Sequence, residues 1–192
     1  MPLPPPAPRT HAHLRRVEYR GYHRDDGLWD IEGHLRDTKN YEQTMPGRGV
    51  LPKGEPVHDM HVRVTIDDAM KIVDIHAAMP GTPFEECPRA EAPVRRLIGA
   101  TLGRGWRRAL DEAIGGTRGC THLRELLFGA ATAAFQTMGS YREHLRQQRG
   151  EPETVRLTPP FYMGQCMSWD FDGPVIARVA PQFIGWHHRQ KG

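Results

Sequence analysis

Disulfides, membrane spans and one-sided charge are all scarce in this sequence, and each scarcity removes a class of protein. Its three cysteines, Cys87, Cys120 and Cys166, are an odd number at wide spacings, which speaks against a disulfide framework. No uninterrupted apolar run approaches the roughly 18 residues a spanning helix needs. The opening stretch MPLPPPAPRTHAH lacks the apolar segment of a secretory signal, so a cytoplasmic protein with no membrane partner is expected. Basic and acidic side chains number 26 and 23, and the formal +3 is too small and scattered to argue for nucleic acid. A P-loop, a G-x-G-x-x-G after a strand, a G-x-S-x-G and an H-E-x-x-H are all missing, so nucleotide binding and serine hydrolysis have no support.

Histidine, by contrast, is plentiful, at 11 in 192 residues. His11, His13, His187 and His188 read as solvated tail residues, which leaves the interior ones as the informative set. Residues 1–13 form a proline-rich arm that makes neither helix nor sheet. The rest, 14–192, reads as a single α+β metal-binding domain with an aromatic extension at 157–192. Residues 27–38 alternate as a half-buried strand: Leu28, Asp30, Glu32 and His34 share one face, and Trp29, Ile31, Gly33 and Leu35 the other. Asp37 and Lys39, at the end of this run, read as a surface pair worth little. Residues 40–56 are rich in glycine, proline and polar side chains and read as a long loop of functional kind. A second strand, 57–67, points His58, Met60, Val62, Val64 and Ile66 one way and Asp59, His61, Arg63 and Thr65 the other. A third follows at 71–79, completing a three-stranded antiparallel meander.

The period then turns helical. Residues 92–114 carry Val94, Leu97, Ile98, Leu102, Trp106 and Leu110 at three- and four-residue steps, with a weak point at Gly103 and Gly105. A second long helix runs from Cys120 or Thr121 to Arg149. The extension at 157–192 holds one further strand, Pro174–Val179, and packs back on the core. Strands first and helices afterwards give an α+β sandwich with helices on one face of the sheet.

Chemistry concentrates where strands hand over to helices. Cys120 and His122 stand at the mouth of the second helix, whose free N–H groups and positive dipole end favour a thiolate ligand or nucleophile. The bland alternative makes Cys120 a small buried side chain beside Thr121 as the N-cap. Cys87 precedes the first helix, and His58 ends the core-facing side of the middle strand. Together His58, Cys87, Cys120 and His122 form a Cys₂His₂ set for one divalent metal, zinc or iron. Asp59 is a substitute ligand, an outer partner or a proton shuttle, Asp30 and Glu32 are a second acid–base pair, and Arg48 is a loop cation able to clamp an anion.

The run HDMHVRVTIDDAMKIVDIHAAM, then Cys87, two helices and GCTHL, resembles the iron–sulfur scaffold proteins of the NifU/IscU type over 57–136. That resemblance implies a small antiparallel sheet with ligands gathered at its end. The whole-chain pattern YHRDDGLWDIEGHLRDTK…PVHDM…GCTHLRELL resembles a proteobacterial family labelled only as domain of unknown function 2889, which implies no activity. The expectation is a small metal-dependent lyase or hydrolase acting on a small organic or aromatic substrate, in a protein whose assembly into a homo-oligomer is left open. A non-enzymatic metal or iron–sulfur carrier, and a Cys120 thiol enzyme without metal, are the alternatives.

Overall fold

A computed structural model of the chain describes residues 3–152, 157–160 and 162–186. The chain divides into two compact units, Met1–Leu145 and Arg146–Gly192. Six strands occupy the first: β1 (His13–His23), β2 (Trp29–Lys39), β3 (Gln43–Met45), β4 (Gly49–Leu51), β5 (Pro56–Ile66) and β6 (Ile72–Gly81). Four of them form one antiparallel sheet in the order β1-β2-β5-β6, while β3 and β4 pair separately as a small hairpin. The expected three-stranded meander is therefore one strand short. β1 escapes a reading by periodicity because it is an edge strand exposed along its whole length except at Tyr19, so no alternation of apolar residues marks it. The supposed long loop, 40–56, contains the hairpin, which turns through Gly47 at a φ of 79°.

The inner face of the sheet follows the alternation. Trp29, Ile31 and Leu35 from β2 and Met60, Val62, Val64 and Ile66 from β5 are all buried. Two helices complete this core, α1 (Trp106–Ile114) and α2 (Thr121–Gln148). The single helix expected over 92–114 is instead a 3₁₀ stretch, Ala92–Leu97, followed by a break and then α1. Gly99 and Gly105 interrupt it at φ of 90° and 88°, a left-handed backbone that no helix interior accommodates. The apolar residues Val94, Leu97, Leu102, Trp106 and Leu110 are buried all the same, because short segments separated by turns reach the core as well as one helix does.

Several polar contacts tie the sheet, its turns and the two helices together. The Tyr19 hydroxyl on β1 donates to the carbonyl of Leu126 in α2 at 2.8 Å, and the Trp106 indole N–H donates to the Leu127 carbonyl at 3.1 Å. Between β5 and β6, the Asp67 carboxylate caps a tight turn by accepting the backbone N–H groups of Ala69 and Lys71. Its neighbour Asp68 accepts the Trp29 indole N–H at 3.0 Å.

The second unit gathers Met163, Ile176, Ala180 and Phe183 into a small cluster of its own, with Tyr162, Trp169, Phe171 and Trp186 packed around it. Pro174–Val179, expected as a strand, is the short helix α3. Proline suits a first helical position, where no N–H is required, and Ile176 and Ala180 fall four residues apart on the buried side. No helix among the described residues is long and apolar enough to cross a membrane.

Gly33 is one of the positions at which a missing side chain lets α2 pack close to the sheet. A Cβ at that position would lie 3.0 Å from Val62 Cγ2 and 3.1 Å from both Leu126 Cδ1 and Tyr19 Cε1, so three elements converge on the missing side chain. Gly33→Val should lower unfolding stability by about 1–3 kcal/mol through overpacking, despite valine's preference for strands. Urea unfolding followed by circular dichroism measures it, and an unchanged midpoint would contradict this packing.

Candidate functional site

The buried face of β2 does not end at Leu35. One more i+2 step brings Asp37 to the same face, where it is only 3% exposed. Asp37 stands opposite His58 of β5 in register, and a β-bulge follows at once, between Asp37 and Thr38. A second irregularity lies between Asp59 and His61 in the pairing of β5 with β6. Bulges bend a strand and re-aim its side chains, and both of these sit at the His58 end of the sheet.

The Asp37 carboxylate is fully engaged. Arg15 of β1 donates to it bidentately, Nε to Oδ1 at 2.9 Å and Nη2 to Oδ2 at 2.8 Å. His13 Nε2 lies 3.0 Å from Oδ1, and His58 Nδ1 lies 3.0 Å from Oδ2. Arg15 also reaches Glu125 of α2, Nη1 to Oε2 at 3.0 Å. His13, expected in a solvated tail, is thus the first residue of a strand and part of this cluster; His187 and His188 lie outside the described residues. The supposed surface pairing of Asp37 with Lys39 is replaced by a buried network. Burial alone would raise the Asp37 carboxyl, but the hydrogen bonds and charge of Arg15, aided by His13 and His58, hold it down at about 2.

His122, in the first turn of α2, lies against His58 with ring centroids 4.0 Å apart and planes tilted 37°. Burial, and then the neighbouring His122, lower the His58 pKa against the upward pull of Asp37. Burial, and then Arg15, lower that of His122. Both shifts favour the neutral imidazole, the form that binds metals or accepts protons. With Nδ1 of His58 held by Asp37, its Nε2 is the nitrogen free to act. Cys120 Sγ lies 3.9 Å from His122 Nδ1. Its carbonyl accepts the Arg124 N–H at 2.9 Å, so Cys120 occupies the N-cap position of α2. Gly119 lets the segment before α2 pack against the end of α1, because a Cβ there would strike Ile114 at 2.7 Å.

His58, Cys87, Cys120 and His122 all line one open cleft of about 530 Å³, together with Phe84 and Arg89 among others. The four side chains named from the sequence thus converge on one place. Among the described residues, however, the donor atoms that lie within 4.8 Å of one another there are those of Asp37, His58 and His122. Cys120 touches this group through His122, whereas Cys87 forms part of the cleft wall.

The other candidates are elsewhere. Asp59, Asp30 and Glu32 belong to the opposite, outer face of the sheet. Asp59 meets His34 at 2.8 Å, Asp30 accepts the Thr65 hydroxyl at 2.6 Å, and Glu32 accepts Arg63 Nε at 2.9 Å. A proton shuttle from any of them to His58 would have to cross the sheet. Arg48 is occupied: it donates to the carbonyl of Thr82, tying the β3–β4 hairpin to the segment that borders the cleft. Asp37 is the functional candidate that periodicity could have found, by extending the buried alternation one step beyond Leu35.

The model of the family described as "Protein of unknown function (DUF2889)" matches residues 13–136, more than half of the chain. The chain belongs to this family. No curated protein and no solved structure matches it, and the likeness to NifU/IscU-type scaffolds finds no support. The DUF2889 span begins at His13 and takes in Arg15, Asp37, His58, Cys87, Cys120 and His122, so the whole cluster belongs to the family portion of the chain.

The depressed Asp37 carboxyl makes stability depend on pH. Its folded value, about 2, lies below the unfolded 3.8, so the stabilisation is fully present above pH ~4 and is lost as pH falls toward 2. The gap corresponds to roughly 2 kcal/mol. Asp37→Asn should therefore be less stable than the parent by about that amount at pH 6, and the difference should close near pH 2. Urea titrations of both proteins across this range check it; a constant difference would mean that Asp37 does not titrate as described.

Proposed function

We propose that the cleft at the His58 end of the sheet is the active site of a metal-dependent enzyme of lyase or hydrolase type, acting on a small anionic organic or aromatic substrate. The observation that carries this reading is the Asp37–His58–His122 cluster: a buried carboxylate orients one neutral imidazole against a second, and a thiol lies beside that second ring. Asp37 already accepts from Arg15, His13 and His58, so it acts best as the outer partner that fixes the His58 tautomer. The ligands are then His58 Nε2, His122 Nδ1 and Cys120 Sγ, with Cys87 in the wall of the same cleft. A tetrahedral zinc or ferrous ion with bonds near 2.3 Å to sulfur and 2.0–2.1 Å to nitrogen separates its S and N donors by roughly 3.6 Å. The 3.9 Å between Cys120 Sγ and His122 Nδ1 fits this with little adjustment.

Such a metal supplies Lewis acidity toward a carbonyl or hydroxyl oxygen. The chain's own residues do the rest. Arg89 offers the cleft a cation for an anionic group, the part once expected of Arg48, and Phe84 offers an apolar wall for a ring or alkyl portion. Glu86 is the carboxylate bordering the cleft, and it takes the proton-transfer role that Asp59, Asp30 and Glu32 cannot reach. The N-terminal end of α2 adds a favourable field for negative charge beside His122.

The contact between Cys120 and His122 also favours a second reading, a thiol nucleophile assisted by imidazole without metal. Elemental analysis of freshly purified protein separates the two. One equivalent of zinc or iron is expected at this cleft, lost relative to the parent in Cys120→Ser and His122→Ala and weakened ~10–100-fold in Asp37→Asn. Absence of stoichiometric metal, or normal loading of the first two variants, would sink the metal reading. Stoichiometric alkylation of Cys120 at neutral pH, indifferent to chelators, would then support the thiol.

A further inference from the structure

The outer face of the same sheet carries a second group of donors that the proposed active site does not use. His34 on β2 and His61 on β5 are register partners, directly opposite each other across two adjacent strands. Their rings stack with centroids 4.1 Å apart and planes only 12° from parallel. Both Nε2 atoms converge on one oxygen, Asp59 Oδ1, at 2.8 Å from His34 and 3.1 Å from His61. Side-chain exposures of 39% and 49% for the histidines and 24% for Asp59 leave the group open to solvent. Both rings border a shallow depression of about 410 Å³ on the outer face.

From this arrangement, the structure assigns a second metal site to His34, Asp59 and His61, binding one divalent transition-metal ion of the zinc–copper class through two imidazole nitrogens and one carboxylate oxygen. The donor set is borderline in softness and carries one negative charge, which suits zinc, nickel or copper rather than calcium or magnesium. A zinc-like ion with bonds of 2.0–2.2 Å places tetrahedral N and O donors roughly 3.3 Å apart. The observed 2.8 and 3.1 Å open to that distance by a few tenths of an ångström, within the freedom of half-exposed side chains. Strand geometry does the positioning. Cross-strand neighbours hold their Cβ atoms about 4.5–5.5 Å apart, and Asp59 precedes His61 by two residues along β5, on the same face. Three donors from one sheet surface leave the solvent side of the ion open to water or an incoming anion.

The site stands independently of the inner cleft, and its test keeps them apart. The chelator-stripped full chain, without an affinity tag, is titrated with Zn²⁺ against a chromophoric competitor. His34→Ala/His61→Ala should lose one equivalent relative to the parent while keeping its far-UV circular dichroism, and His58→Ala/His122→Ala should retain that equivalent. Cu²⁺ bound to the latter variant should show two-nitrogen superhyperfine structure in its electron paramagnetic resonance spectrum. If the His34/His61 variant binds as many ions as the parent with equal affinity, or if copper in the inner-site variant shows no such nitrogens, the assignment is overturned. Should the double variant fail to fold, His61→Asn replaces it, with an expected loss of at least ~10-fold in affinity for that equivalent; an unchanged affinity overturns the site equally. Failure of the inner metal alone would instead appear as unaltered binding by His58→Ala/His122→Ala.

Discussion

The Asp37 carboxylate is the knot on which this architecture depends. It is buried at the end of the core face, an expensive place for a charge unless every lone pair is met. Arg15 and His13 come to it from β1 and His58 from β5, so one side chain joins three consecutive strands of the sheet. Arg15 carries the connection to α2 through Glu125. These groups cannot reach Asp37 unless β1 pairs with β2, which explains how an exposed edge strand with no apolar stripe is held in place.

The same knot sets up the chemistry. A histidine that gives Nδ1–H to a buried carboxylate has one tautomer and one orientation, and this is how protein sites prepare an imidazole for metal or proton work. The helix that brings His122 and Cys120 is located by separate means, through its own apolar stripe, the absent side chain of Gly33 and the hydrogen bonds of Tyr19 and Trp106. Core packing and site geometry are thus imposed by different residues that meet at the N-terminal turn of α2.

What was legible in the sequence followed periodicity closely. Alternation places residues 29–35 of β2 and 58–66 of β5 on the inner or outer face as the structure has them, and α2 starts where its apolar stripe begins. The convergence of His58, Cys87, Cys120 and His122 on one cleft was also visible, since all four stand at element ends. The failures share a cause. β1 is nearly all exposed, the 92–114 segment satisfies helical spacing with non-helical pieces, and Pro174–Val179 is too short to reveal its period. Asp37 is hidden from the sequence because a carboxylate near a lysine looks solvated, and only the three-dimensional company of Arg15 and His13 makes its burial feasible. The likeness to NifU/IscU scaffolds rested on the order of elements, a property that many small α+β proteins share.

His58 and Asp59 are consecutive in β5, yet they belong to clusters on opposite sides of the sheet. Side chains alternate with a period of two, so sliding β5 by a single position against β2 would turn both clusters inside out at once. His58 would meet solvent, and Asp59 would be driven, unpaired, into the apolar layer. The pair of histidine clusters therefore acts as a parity check on strand alignment, because neither can form in any register that spoils the other.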